Sequence, residues 1–234
     1  MVNIDSVYQK VLMVANKEQR GYITPQEFNL FADHAQKEIF EQYFYDLNQH
    51  QRAHGSSEEY SDMSHNINEK IAIFEATTTI IAGTINATIL NNATGETDLY
   101  RLGTVISSSG SEVEEVQQNE LLYINQSPLT KPTTSRPVYV RTGITTINKV
   151  PSIGSATCTY IRKPSTPSWG YYVNGNKALF DSSNNKTTNF ELHAAEESEL
   201  VYKILKLAGI TLKNPEVVQV GQALEQGQVQ QEKQ

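Results

Sequence analysis

The sequence has a single cysteine, Cys158, so no disulfide can form within the chain. In the β-like stretch Ala156 to Ile161 a lone cysteine reads as a small buried hydrophobe. No histidine lies near it in sequence to make it a nucleophile. No apolar run approaches the roughly 18 residues of a membrane span. Met1 to Asp5 carry neither the basic nor the apolar stretch of a secretory signal, so the expected setting is a cytosol or a particle assembled in one. Charge is scarce as well, at 19% of residues, and it is unbalanced: 26 Asp and Glu against 19 Lys and Arg, for a formal net charge of -7. A chain of that sign is a poor grip for nucleic-acid phosphates. It fits a soluble surface, or an acidic wall past which DNA slides.

Catalytic signatures are also missing. There is no Gly-x-Ser-x-Gly elbow and no phosphate-cradling Gly-x-x-x-x-Gly-Lys-[Ser/Thr] loop. The five histidines sit in stretches without a motif around them. No enzyme and no cofactor are expected.

What is present is 38% hydrophobic residues in a background of Ser, Thr, Asn and Gln, spread over 234 residues. That suits one large domain or two small ones. The pattern runs helix, strand, helix. Ile4, Val7, Tyr8, Val11, Leu12 and Ala15 fall at helical spacing. A second helix opens at Thr24-Pro25-Gln26-Glu27, with Thr24 as N-cap, Pro25 in the first helical position and Glu27 closing a capping box. It continues through Phe28, Phe31, Ala32, Ala35, Ile39, Phe40, Tyr43, Phe44 and Leu47. Residues 49–65, polar and dotted with His50, His54 and His65, read as a loop or a frayed helix end.

From about Ala76 the periodicity changes. Short runs rich in Val, Ile, Thr and Tyr predict strands at Thr77–Ile81, Ile85–Leu90, Leu99–Ile106, Leu121–Ile124, Val138–Val140, Ile144–Val150 and Thr157–Arg162. Tyr171 to Phe180 predicts a hairpin turning at Asn174-Gly175. A helical pattern returns near Ala194 with Leu200, Val201, Ile204, Leu205 and Ala208, and Gly209 sits where a C′ glycine belongs. Asn214-Pro215 restarts a short helix carrying Val217, Val220, Gly221 and Leu224. The expected class is α+β, with N- and C-terminal helices packed together and a mainly antiparallel β domain inserted between them. The expected parts are an N-terminal helical part (1–75), a β-rich insertion (76–192), a C-terminal helical part (193–225) and a Gln-rich tail (226–234) that orders only on a partner.

Several residue groups invite a functional reading. Asn16 to Glu27 places Gly21, Ile23 and Glu27 at positions six, eight and twelve of a calcium-binding loop, yet Arg20 occupies a ligand position. His50 and His54 have the spacing of a helical metal pair without a third ligand. Glu191, Glu196, Glu197 and Glu199 offer acid/base carboxylates, but acids at a helix start more often serve its dipole. Asn86, Asn92, Asn125 and Asn185 open Asn-x-Ser/Thr triplets, which matter only in a secreted protein. Trp169-Gly170-Tyr171-Tyr172 is an aromatic group fit to stack on a sugar if Trp169 is exposed, or to plug a core if it is buried.

Four phrases taken together carry a resemblance. They are Lys17 to Asn29, Asp98-Leu99-Tyr100-Arg101-Leu102, Tyr160-Ile161-Arg162-Lys163-Pro164 and Glu199 to Leu205. In order and layout the chain resembles virion structural proteins of tailed phages, especially neck ring or head-to-tail adaptor proteins of crAss-like and related short-tailed groups. The resemblance implies a virion protein that forms a homomeric ring, a dodecamer, between the portal protein and the next tail or ring protein. Genomic DNA would pass through its lumen without specific binding, and no membrane is involved. The stripe Val217, Val220, Leu224 is then a candidate for docking a partner. The alternative reading is a tail-associated carbohydrate-binding adhesin, or another tail or capsid structural protein.

Overall fold

The computed structural model describes residues 1–16, 23–52, 58–81, 83–87, 89–91, 96–152, 154–175, 177–181, 186–211, 219 and 221–227. Three helices come first: α1 (Ile4–Asn16), α2 (Pro25–Arg52) and α3 (Glu58–Ala72). Six strands follow: β1 (Glu75–Ile81), β2 (Thr84–Ile85), β3 (Ile89–Asn91), β4 (Glu96–Thr97), β5 (Leu99–Ser107) and β6 (Glu112–Glu115). After α4 (Gln118–Gln126) come β7 (Val138–Arg141), β8 (Ile147–Val150), β9 (Ala156–Arg162), β10 (Tyr171–Asn174), β11 (Lys177–Phe180) and α5 (Glu197–Thr211). Helices with a mixed sheet make this an α+β protein.

The chain divides into two compact units, Met1–Ile73 with Pro164–Gln234, and Phe74–Lys163. In the first unit α1 buries Ile4, Val7, Tyr8, Val11 and Ala15, the i, i+3, i+4, i+7 stripe of an amphipathic helix. Asn3 caps it, its Oδ1 accepting from the backbone N–H of Asp5 at 2.8 Å. The capping box at α2 is formed: Glu27 Oε2 accepts from the Thr24 N–H at 2.9 Å and from the Thr24 hydroxyl at 2.7 Å, and Thr24 Oγ1 accepts from the Glu27 N–H at 3.3 Å. The first unit joins both chain ends. Glu197 at the head of α5 accepts from Ser6 and Lys10 of α1, both at 2.8 Å, and Val2 pairs with Phe190.

A buried amide does similar work on α2. Gln36 is fully buried; its Nε2 donates to the Ser165 carbonyl at 2.7 Å and its Oε1 accepts from the Glu191 N–H at 3.1 Å. One side chain thus satisfies two passing backbone segments, as a buried polar group must.

The second unit is a small closed sheet. Its strand order is β2-β1-β9-β5-β6-β7-β8, and its two ends meet. The Ile147 N–H donates to the Gly83 carbonyl and the Ile85 N–H to the Thr145 carbonyl, both at 2.8 Å, and Thr84 bridges Thr146. Gly83 makes this closure possible. Its φ is +81° and a Cβ there would lie 2.8 Å from the Ile147 carbonyl oxygen, so a side chain is excluded by both conformation and space. Ile80, Ile85, Val105, Val113, Ile147 and Cys158 fill the interior, alternating with outward residues as the strand period requires. Closure removes the free edges that an open sheet must protect.

Several expectations need correction. Where a loop or frayed helix end is expected at 49–65, α2 runs to Arg52 and α3 opens at Glu58; residues 53–57 lie outside the described residues. Ile71, buried, and Ile67, half-buried, give α3 an apolar side that its overall polarity hides. Leu121–Ile124 is helical, inside α4, because a short apolar run does not by itself separate helix from strand. The strand expected from Ile85 to Leu90 is split between β2 and β3, and the one expected from Ile144 starts at Ile147. One pair, β6 with β7, is parallel among otherwise antiparallel described pairs, and it needs the long crossover α4 belongs to. The β-rich unit ends at Lys163 and not at residue 192; the Tyr171–Phe180 hairpin stays with the helices because its aromatic residues stack on Trp169. Gly209 does not end α5, which continues to Thr211. The packed face of Leu200, Ile204, Leu205 and Ala208 outweighs the roughly 1 kcal/mol helix penalty of a glycine. Gln226 and Gly227, placed in the tail, are helical; residues 228–234 lie outside the described residues.

Candidate docking surfaces

The C-terminal stripe was the one site expected from sequence. Val217 and Val220 lie outside the described residues. Leu224 is 42% exposed on the short helical segment at 221–227. That segment is held to α5 by charge. Glu225 takes Lys203 on one carboxylate oxygen and Lys206 on the other, both at 2.9 Å. Lys203, only 3% exposed, also meets Glu38 of α2 at 2.8 Å and Glu199 at 3.5 Å. Burial alone would pull the Lys203 ammonium down, but its hydrogen bonds to Glu38 and Glu225 prevail and hold it above the ordinary lysine range. Burial likewise pushes Glu225 up, and the two lysines outweigh it and keep its carboxyl below the usual range. The clasp is close-packed: a Cβ on Gly221 would come 3.3 Å from the Lys206 backbone. Leu224 is left outward, beside a fixed ionic anchor.

A second surface was not foreseen. The nine-residue α4 buries none of its residues and has no side-chain cap at Gln117. Leu122 is 61% exposed, Tyr123 74% and, just beyond the helix, Leu129 95%. Isolated helices this short are marginal in water, and exposed apolar residues close together in sequence make α4 a candidate interaction surface. The only signal in the sequence was the apolar run itself, which was read as a strand.

The remaining candidates are structural. Trp169 is 2% exposed; it packs on Tyr8 at 4.2 Å and stacks on Tyr171 and Phe180 at 5.9 and 5.8 Å. Its indole N–H donates to Asp5 Oδ1 at 2.9 Å, and its backbone N–H to Asn29 Oδ1 at 2.7 Å. It is a core plug, with no face left for a sugar. The four glutamates are dispersed: Glu191 accepts from the Ser165 N–H, Glu196 pairs with Lys70 at 2.5 Å, Glu197 binds α1, and Glu199 faces Lys203. Cys158 is buried in the barrel, where burial pushes its thiol up and away from thiolate chemistry. Residues 17–22 of the calcium-like loop, and His54, lie outside the described residues. Among the described residues no cluster of three or more His, Cys, Asp or Glu could hold a metal ion, and no helix is long and apolar enough to cross a membrane.

No protein-family model matches the sequence, and no curated protein matches it.

Proposed function

We propose that this chain is a structural subunit of a tailed-phage virion, a ring-forming head-to-tail connector that joins the portal to the next tail or ring protein. The sequence resemblance supplies the class. The observation that carries self-assembly is α4, a helix with no buried residue whose Leu122 and Tyr123 are exposed with Leu129 beside them. A helix of that kind gains its stability from a neighbour. In this reading the function lies in shape and interfaces: the ring is a dodecamer in the virion, and DNA passes its lumen without specific contacts. The acidic balance of the chain suits such a passage, because like charge keeps phosphate from sticking. Leu224, with Val217 and Val220, is assigned to portal docking.

The test is the native mass of the full chain at high concentration, alone and with its portal, with electron microscopy of any large species. Closed rings support the reading. A chain that stays monomeric in both conditions refutes it. The adhesin reading required an exposed Trp169, and with the indole buried no observation favours it.

A further inference from the structure

We infer that the barrel unit assembles copies head to tail, the α4 arm of one copy seating on the threonine-rich outer face of β1, β9 and β5 of the next. This rests on the ring reading and specifies its subunit contact.

The outer face is read from the strand register. Thr77 lies opposite Thr159 and Thr79 opposite Thr157 on β1 and β9, and Thr157 in turn lies opposite Ile106 on β5. All five are exposed. One row further along, Ile161 is flanked by Glu75 on β1 and Arg101 on β5. Across β1, β9 and β5 the middle of the face is therefore lined by methyl groups and hydroxyls, with Glu75 and Arg101 at one end and the exposed Glu112 of β6, opposite Ile106, at its border. Threonine and isoleucine in strands are stiff at χ1, so ordering them at an interface sacrifices little entropy.

The arm is its complement. Its apolar residues Leu122, Tyr123 and Leu129 are exposed, and the charges that flank them are one acid, Glu120, and one base, Lys131. Each patch can offer an opposite charge to each charge of the other. Tyrosine and leucine on a projecting element against a flat, small-residue face is a knob-to-surface match, and tyrosine is favoured as an interface anchor.

Charge also identifies the occupant as a second copy. The barrel unit holds seven acidic and seven basic residues, while the helical unit holds nineteen acidic and twelve basic. The whole net charge of -7 therefore falls on the helical unit. Copies repel through their helical units and not through their barrels, so self-contact is favoured at the neutral unit. Because arm and face are different patches, the contact is heterologous, and such contacts propagate into a ring when the rotation closes.

The test uses two full-length variants, Tyr123→Asp on the arm and Thr157→Arg on the face, both at exposed positions, with circular dichroism melts to verify folding. Each variant alone should self-associate at least about 30-fold more weakly than the parent chain, as loss of an interface anchor does. Mixed together, the intact face of one and the intact arm of the other should restore a single contact and give a one-to-one dimer. Native mass spectrometry reads all three samples. Rings that persist in both variants overturn the arm-to-face contact while the ring reading stands. Arm-dependent dimers or open chains with no closed species keep the contact and count against the ring. A mixture of folded variants that stays monomeric overturns the proposal.

Discussion

Lys203 is a stringent place to test the clasp that fixes the C-terminal segment. Replacing it with methionine keeps most of the apolar stem and removes the ammonium. Glu199, itself 3% exposed, then loses its contact with the Lys203 ammonium, and Glu225, 14% exposed at its side chain, keeps Lys206 and loses Lys203. Removing one member of a buried ion pair costs about 3–5 kcal/mol, chiefly because the stranded charge stays desolvated. Glu38 is 43% exposed at its side chain and can turn to water, so the lower end of that range applies, about 3 kcal/mol. With a urea slope of about 2 kcal/mol/M, the unfolding midpoint should fall by about 1.5 M. The buried Trp169 of the same unit supplies the fluorescence signal. Glu225→Gln should cost only about 1 kcal/mol, since Lys203 keeps Glu38 and Glu199. A Lys203→Met midpoint within about 0.3 M of the parent would show that the carboxylates are solvated and the clasp idle.

The same cluster sets a pH window. Glu225 is held below its unfolded value, so its contribution is full above about pH 4.3 and is lost as pH falls through the lowered native pKa; Glu225→Gln should flatten the acid limb of a stability–pH profile. Lys203 is held above its unfolded value, so its contribution persists up to about pH 10.4 and is lost only as pH rises through the raised native pKa, visible as an alkaline loss missing from Lys203→Met. Thr24→Ala removes the hydroxyl that accepts from the Glu27 N–H and donates to Glu27 Oε2, leaving only the backbone half of the α2 capping box, and should lower stability by about 1 kcal/mol in a thermal or urea melt. Gly83→Ala meets both a positive φ and the Ile147 carbonyl, and should cost about 1–3 kcal/mol; proteolysis at strand ends β2 and β8 would report the opened seam, and an unchanged cleavage pattern would deny it.

The parts of the fold that were legible in the sequence are those where local chemistry and burial agree. The Thr24–Glu27 box has one conformation that satisfies its donors, and the structure adopts it. The β1, β5 and β9 alternation is strong because each strand has one face in the barrel and one in water. The Asn174-Gly175 turn was legible because Gly175 takes φ +55°, which few residues tolerate. Misreadings cluster where long-range packing decides. Nothing local to Tyr171 or Phe180 says that they stack on Trp169, so the hairpin was placed with the strands and the boundary fell at 192 and not at Lys163. The continuation of α5 through Gly209 is likewise a tertiary effect, invisible to a rule that treats glycine as a stop.

Docking surfaces are harder to read than cores for a related reason. Periodicity reports which residues of a segment share a face, and a core face and an interface face have the same period. The run Leu121 to Ile124 therefore looks like an ordinary buried strand; only the absence of any buried residue in it separates it from Val138 to Val140, which are all buried. Trp169 shows the converse. Its aromatic neighbours suggest a sugar platform, but ring contacts with Tyr8, Tyr171 and Phe180 and two hydrogen bonds account for the indole itself. What distinguishes the two cases is whether the intrachain partners account for the apolar surface. They do for Trp169. For α4 and Leu129 they do not, and it is this uncovered apolar surface that the proposed contact with a second copy would bury.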